Sequence, residues 1–188
     1  MRNTRSDRWQ RRPLRLSVSW HKERPIPVRY VIVAGLLVIA AAAQAADTHV
    51  SPDRKCRATV VAVNRTHESR VTVRCESDRP FQRTYQSSDG EHGGIVSHIA
   101  WTADSRFVVY SLYSSGGHSP MYSPIWVYDR GARKLCSLDR QLELVTSFDE
   151  FKLKKPSIVT VRGSRGLGHS DEDFTVDLIH QMRCATHP

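Results

Sequence analysis

From Ala58 onward the apolar residues of this chain come in short runs of β-branched and aromatic side chains, each closed by a turn signal, and nowhere with the three- and four-residue spacing of a helix face. That pattern predicts an all-β chain, with strands over 58–63, 70–75, 81–85, 96–101, 107–113, 125–129, 134–138, 157–161 and 174–179. The punctuation is Ser88-Asp89-Gly90, Gly93-Gly94, Asp104-Ser105, Gly116-Gly117, Arg130-Gly131 and the glycines at 166 and 168, residues that tolerate the φ values of tight turns. A single short helix is expected around 138–144.

An uncharged run, Val31 to Ala43, precedes this pattern and is followed by Gln44-Ala45. It is shorter than the ~20 residues that span a bilayer, and small residues follow it, as in a secretory signal with cleavage after Ala45. The expected organisation is therefore a bacterial Sec-type signal peptide over 1–45 and a periplasmic or secreted domain over 46–188, with an uncleaved anchor as the competing reading. The segment before the apolar run is long and basic for a signal, and a start at Val28, read from a GTG codon, would leave a compact one. Arg11-Arg12 lies too far from the apolar run for a twin-arginine signal, and no cysteine stands at the cleavage point to carry a lipid.

Residues 1–45 hold nine of the 28 Lys and Arg but two of the 19 acids, leaving 19 basic against 17 acidic residues beyond them. The chain's net charge of +9 is thus mostly a property of the leader, and nucleic acid is not an expected partner. The remaining 143 residues suffice for one domain with a core. They contain all four cysteines, Cys56, Cys75, Cys136 and Cys184, an even number that in an exported chain implies two disulfides. Of the three pairings open to four cysteines, Cys56 with Cys75 and Cys136 with Cys184 is preferred, because the first pair flanks one hairpin and the second ties the C-terminal strand to the body. No Cys-x-x-Cys occurs, so neither a zinc ribbon nor a thioredoxin-type site is supported.

The stretch SSGGHSPMYSP, Ser114 to Pro124, sits between two predicted strands, and its Gly-His-Ser recurs 51 residues later at Gly168-His169-Ser170. A further 51-residue step back reaches His67, again between two predicted strands, so three hairpin units of about fifty residues are expected. In the middle unit, His98-Ile-Ala-Trp101-Thr-Ala-Asp104-Ser-Arg106-Phe-Val-Val-Tyr110-Ser111 and Ile125-Trp-Val-Tyr-Asp129 resemble one blade of TolB-type, WD40-like β-propellers. Thr102-Ala103 stands where that family has Ser-Pro, and Ser105 where it has Gly. The resemblance covers about thirty residues and implies a four-stranded blade with a tight Asp-Ser turn and a long loop between its second and third strands. Three units fall short of the four to eight blades of a closed propeller, so a partial propeller, a sandwich of curled sheets or a trefoil-like arrangement all fit.

Histidines in glycine-rich loops raise the question of catalysis or metal binding, with His67, His118 and His169 converging on a pseudo-symmetry axis. There is no Gly-x-Ser-x-Gly elbow, Pro120 constrains the loop next to Ser119, and Asp171-Glu172-Asp173 lacks the alternating oxygens and closing Glu of a calcium loop. No catalytic residue, metal set or cofactor is therefore assigned. The aromatic group is the stronger signal. Trp126 and Tyr128 share one face of a strand, with Tyr110, Tyr113 and Tyr122 nearby, and large amphipathic rings among Ser, Gly and Arg suit protein, peptide or sugar contacts. The candidate contact residues are Tyr113, His118, Met121, Tyr122, Trp126, Tyr128 and His169. Asp149 and Glu150 are expected in a polar connector, while Lys152, Lys154 and Lys155 read as charges guarding an exposed strand edge.

The function expected from these residues is an exported, non-catalytic binding protein whose partner is a protein, peptide or glycan of the cell envelope, touching membrane only through its signal peptide. A small secreted hydrolase or metal-dependent enzyme using His118 and His169, and a structural subunit of a larger envelope assembly, are the two alternatives.

Overall fold

The computed structural model describes residues 46–182 apart from 77, 117–121 and 167–169. These form three successive antiparallel sheets in which each strand pairs with the next along the chain. Sheet 1 contains β1 (Asp47–Val50), β2 (Cys56–Ala62), β3 (Ser69–Cys75) and β4 (Phe81–Thr84). Sheet 2 contains β5 (Gly94–Trp101), β6 (Phe107–Ser114), β7 (Ile125–Asp129) and β8 (Lys134–Ser137). After the helix α1 (Leu138–Leu142), sheet 3 is built from β9 (Thr146–Lys154), β10 (Ile158–Ser164) and β11 (Glu172–Asp177), and a last turn of helix, α2 (Leu178–Gln181), follows. The chain is an all-β domain of three hairpin units, as its turn-bounded strand pattern predicts.

The 51-residue period goes further than the histidine loops show. Ser51 and Thr102, 51 residues apart, open the turns β1–β2 and β5–β6 with matching hydrogen bonds. Each hydroxyl donates to the aspartate two residues on, Asp53 or Asp104, at 2.5 Å, and accepts from the backbone N–H five residues on, Cys56 at 2.9 Å or Phe107 at 3.0 Å. Each aspartate in turn accepts the N–H of Lys55 or Arg106. The residue between, Arg54 or Ser105, sits at φ 62° in both, which the side-chain-to-backbone bonds on either side hold in place. Ser51-Pro52-Asp53 in unit 1 thus makes the same turn as Thr102-Ala103-Asp104 in unit 2. All three histidine loops join the second and third strands of their sheets; His118 and His169 themselves lie outside the described residues.

The sheets stack in chain order. On β6, Phe107 and Val109 turn to one side and Val108, Tyr110 and Leu112 to the other, and every residue from Phe107 to Leu112 is buried. One core lies between sheets 2 and 3, joining Phe107, Val109, Ile125 and Val127 to Phe151, Val159, Val161 and Val176, with Leu138, Leu144 and Leu178 closing its end. The other lies between sheets 1 and 2 and contains Ala58, Val71 and Val73 against Ile99, Trp101, Val108 and Tyr110. A strand covered on both faces reads as a continuous apolar run, which explains Phe107-Val-Val-Tyr110. The two end faces are mostly polar: on sheet 3 Lys152, Thr160 and Thr175 stand in one row and Arg162 with Asp173 in another, with Phe148 exposed beside them.

The Cys56–Cys75 disulfide is present, joining directly opposed residues of β2 and β3. Cys136 is also disulfide-bonded; its expected partner, Cys184, lies outside the described residues. Disulfides of this kind persist in oxidising compartments. Among the described residues no helix is long and apolar enough to cross a membrane. Two expectations are corrected, and one strand is unforeseen. Asp149 and Glu150 belong to β9 rather than to a connector, and the strand expected to reach 179 stops at Asp177; β1 forms from Asp47–Val50, a segment too short and polar to announce itself. Asp177 ends β11 because its carboxylate accepts the Ile179 N–H at 3.0 Å and so caps α2. β9 is an edge strand of sheet 3, so Lys152 and Lys154 do guard a sheet edge.

Candidate functional site

The long loops of units 1 and 2 are tied together by one carboxylate. Glu68 follows the β2–β3 turn and is completely buried, at 0% exposure. Its oxygens accept from Asn64 Nδ2 at 2.6 Å, the Ser87 hydroxyl at 2.6 Å and amide at 3.0 Å, the Gly93 amide at 2.8 Å and the Ser115 hydroxyl at 2.9 Å. Burial acts to raise the pKa of this group, but the donors from Ser87, Ser115 and Asn64 outweigh it and hold the pKa down at about 2. Glu68 thereby fixes three segments at once: the β2–β3 loop, the 87–93 connection between sheets, and the residue where the chain leaves β6. Gly93 must be glycine for this contact, since a Cβ there would collide with the Glu68 carboxylate and with the Tyr85 carbonyl.

Beside this latch lies an open cleft of about 560 Å³ between the β4 end of sheet 1 and the β6–β7 side of sheet 2. Ser114 and Tyr122, on either side of the β6–β7 connection, both line it. Tyr113 and Tyr122 stand 43% and 38% exposed at its margin, and Trp126 and Tyr85 form its inner wall with ring centroids 6.2 Å apart. Behind them the Tyr85 and Tyr110 hydroxyls share a 2.6 Å hydrogen bond, and burial pushes the Tyr85 phenol up to about 12, so this pair stays neutral. Arg83 lies over the Tyr85 ring at 5.9 Å. At the rim His92 pairs with Asp89, a contact that raises the imidazole pKa. None of the described residues lining the cleft is acidic.

The sequence-predicted contact residues separate here. Tyr113, Tyr122 and Trp126 come together in the cleft, whereas Tyr128 does not: it is 4% exposed and stacked on Phe81 at 4.2 Å, within the core between sheets 1 and 2. Alternation along β7 puts Tyr128 and Trp126 on one face, as expected, but the core between sheets 1 and 2 buries Tyr128 and covers Trp126 only in part. His118, Met121 and His169 lie outside the described residues. His67 borders a different cavity of about 320 Å³, shared with Asp47, His49 and His98. Among the described residues, no three His, Cys, Asp or Glu side chains are placed to hold a metal.

Asp139 fixes the other side of the loop. Sitting in the first turn of α1 and 1% exposed, it accepts the Ile125 N–H at 2.6 Å, while its second oxygen has no hydrogen-bond partner among the described residues. Desolvation raises its pKa to about 6. Next to it, Ser123 and Ser147 are joined by two bonds of 2.9 Å, which hold the returning chain to β9. Sequence reading missed Glu68 and Asp139, since a lone acid beside a strand or helix carries no signal of burial. No protein-family model matches the chain, and neither does any curated protein.

Proposed function

We propose that the protein is an exported, non-catalytic binding protein that takes a protein, peptide or glycan of the cell envelope into the cleft bearing Tyr113, Tyr122 and Trp126. The observation that carries this reading is the combination of exposed aromatic rings with a rigid frame. Aromatic side chains give large contact area for little lost entropy, and a contact surface gains affinity when its loops are ordered beforehand. Glu68 and Asp139 supply that order at two points beside the cleft, through Ser115 and Ile125. The signal-like segment, the disulfides and the polar end faces fit a self-contained exported domain, and the repeated Ser/Thr-x-Asp turn supports descent of its units from propeller-like blades.

The test compares wild type with the double variant Tyr113→Ser, Tyr122→Ser, whose side chains are exposed enough to be removed without touching either core. Components of a cell-envelope extract held by the wild type are purified and titrated back, with the intrinsic tryptophan fluorescence as readout. The reading requires a component that binds the wild type and loses at least tenfold in affinity with the double variant. It is wrong if both proteins bind every recovered component equally. The enzyme alternative instead predicts that His118→Ala abolishes turnover of a retained substrate.

A further inference from the structure

The outer face of sheet 1 carries an unusual charge pattern. Register places Arg57 of β2 directly opposite Arg74 of β3, and Arg70 lies on the same face four residues from Arg74. Between these rows runs a polar row across three strands, Thr59, Thr72 and Gln82. All three arginines are exposed, none has an ion-pair partner among the described residues, and no acidic residue occupies this face of the sheet. Like charges directly opposed across a strand pair are unfavourable in isolation. Strand geometry spreads the three guanidinium groups over ~13 Å along the sheet and about 5 Å across it.

We propose that this face docks onto a bilayer containing anionic phospholipid. Besides its arginines and polar rows this face carries only the short apolar side chains of Val50 and Val61 among the described strand residues, with no aromatic ring, which suits a planar partner held mainly by charge. Single-stranded nucleic acid would need aromatic platforms, which this face lacks, and duplex readout would need an element projecting into a groove. The opposite end of the stack, on sheet 3, mixes Lys152 and Arg162 with Asp173 and is not a uniform field. Docking through sheet 1 leaves the aromatic cleft at the edge between sheets 1 and 2 open to its ligand, so the membrane contact is independent of that site.

Vesicle co-sedimentation tests this with the expected exported form, residues 46–188, so that the basic and apolar leader contributes no binding of its own. Vesicles of phosphatidylcholine alone are compared with mixed phosphatidylcholine and phosphatidylglycerol. An arginine at an anionic surface contributes about fivefold in affinity, so Arg57→Gln, Arg70→Gln, Arg74→Gln together should weaken binding to the anionic vesicles roughly hundredfold. Replacing the same three by lysine should preserve most of the binding, and Lys152→Gln, Lys154→Gln should leave it unchanged. Circular dichroism confirms that each variant is folded. Equal binding by the glutamine variant, an equal loss in the Lys152/Lys154 variant, equal binding to neutral vesicles, or retention by DNA or heparin without vesicle binding would each overturn the proposal.

Discussion

Replacing Asp139 by Asn removes a buried titration while keeping the shape of the side chain. In the native protein the carboxyl is 1% exposed, and desolvation lifts its pKa from 3.8 to about 6, against the hydrogen bond from the Ile125 amide. A raised acid pKa means that, between these two values, the folded state binds more protons than the unfolded one, so this group's contribution to stability falls as pH rises. A shift of about 2 units corresponds to about 3 kcal/mol, lost between pH ~4 and pH ~6 and flat above. Asparagine does not titrate, its oxygen can accept from Ile125, and its amide replaces the oxygen that lacks a partner. The stability of Asp139→Asn relative to wild type should therefore climb by about 3 kcal/mol between pH 3.5 and 7.5, or roughly 6–12 °C in Tm. The depressed carboxylates, Glu68, Asp53, Asp89 and Asp177, weaken both proteins alike in acid and cancel in the difference. Urea unfolding at five pH values measures it. A difference independent of pH would show that Asp139 titrates normally and would refute the assignment of a desolvated, singly bonded carboxylate.

Other perturbations follow from the same contacts. Glu68→Gln should speed amide exchange at Ser87 and Gly93. It should also remove an acid-sensitive component of stability, one that in the wild type is complete above the ordinary carboxylate value of 4.5 and lost as pH falls toward about 2. Gly93→Ala forces a methyl against the Glu68 carboxylate and the Tyr85 carbonyl, and chemical denaturation should show a loss of about 1–3 kcal/mol. Replacing Cys56 and Cys75 together by Ala opens a loop whose ends are 19 residues apart and should cost about 3 kcal/mol in the same assay.

Residue pattern revealed the fold's units but not how they meet. Most strand positions, the hairpin disulfide and the three-unit repeat were legible because they depend on local alternation, turn chemistry and spacing; β9 was not, its acidic Asp149-Glu150 pair reading as a connector. β1 was not, because Asp47–Val50 gains its order from pairing with β2, a partner no local pattern announces. The cleft was half legible. Tyr113, Tyr122 and Trp126 were visible as an aromatic group, but Tyr128 has the same chemistry and only sheet stacking decides that Phe81 covers it. Glu68 shows the limit best: its role arises from donors at 64, 87, 93 and 115, which sequence separates and the fold converges.

The most direct test of the binding account is the affinity of one purified envelope component for wild type and for Tyr113→Ser, Tyr122→Ser, measured by tryptophan fluorescence with both proteins shown to melt alike. The account predicts saturable binding to the wild type and at least a tenfold loss in the variant. Identical titration curves for the two proteins would contradict it.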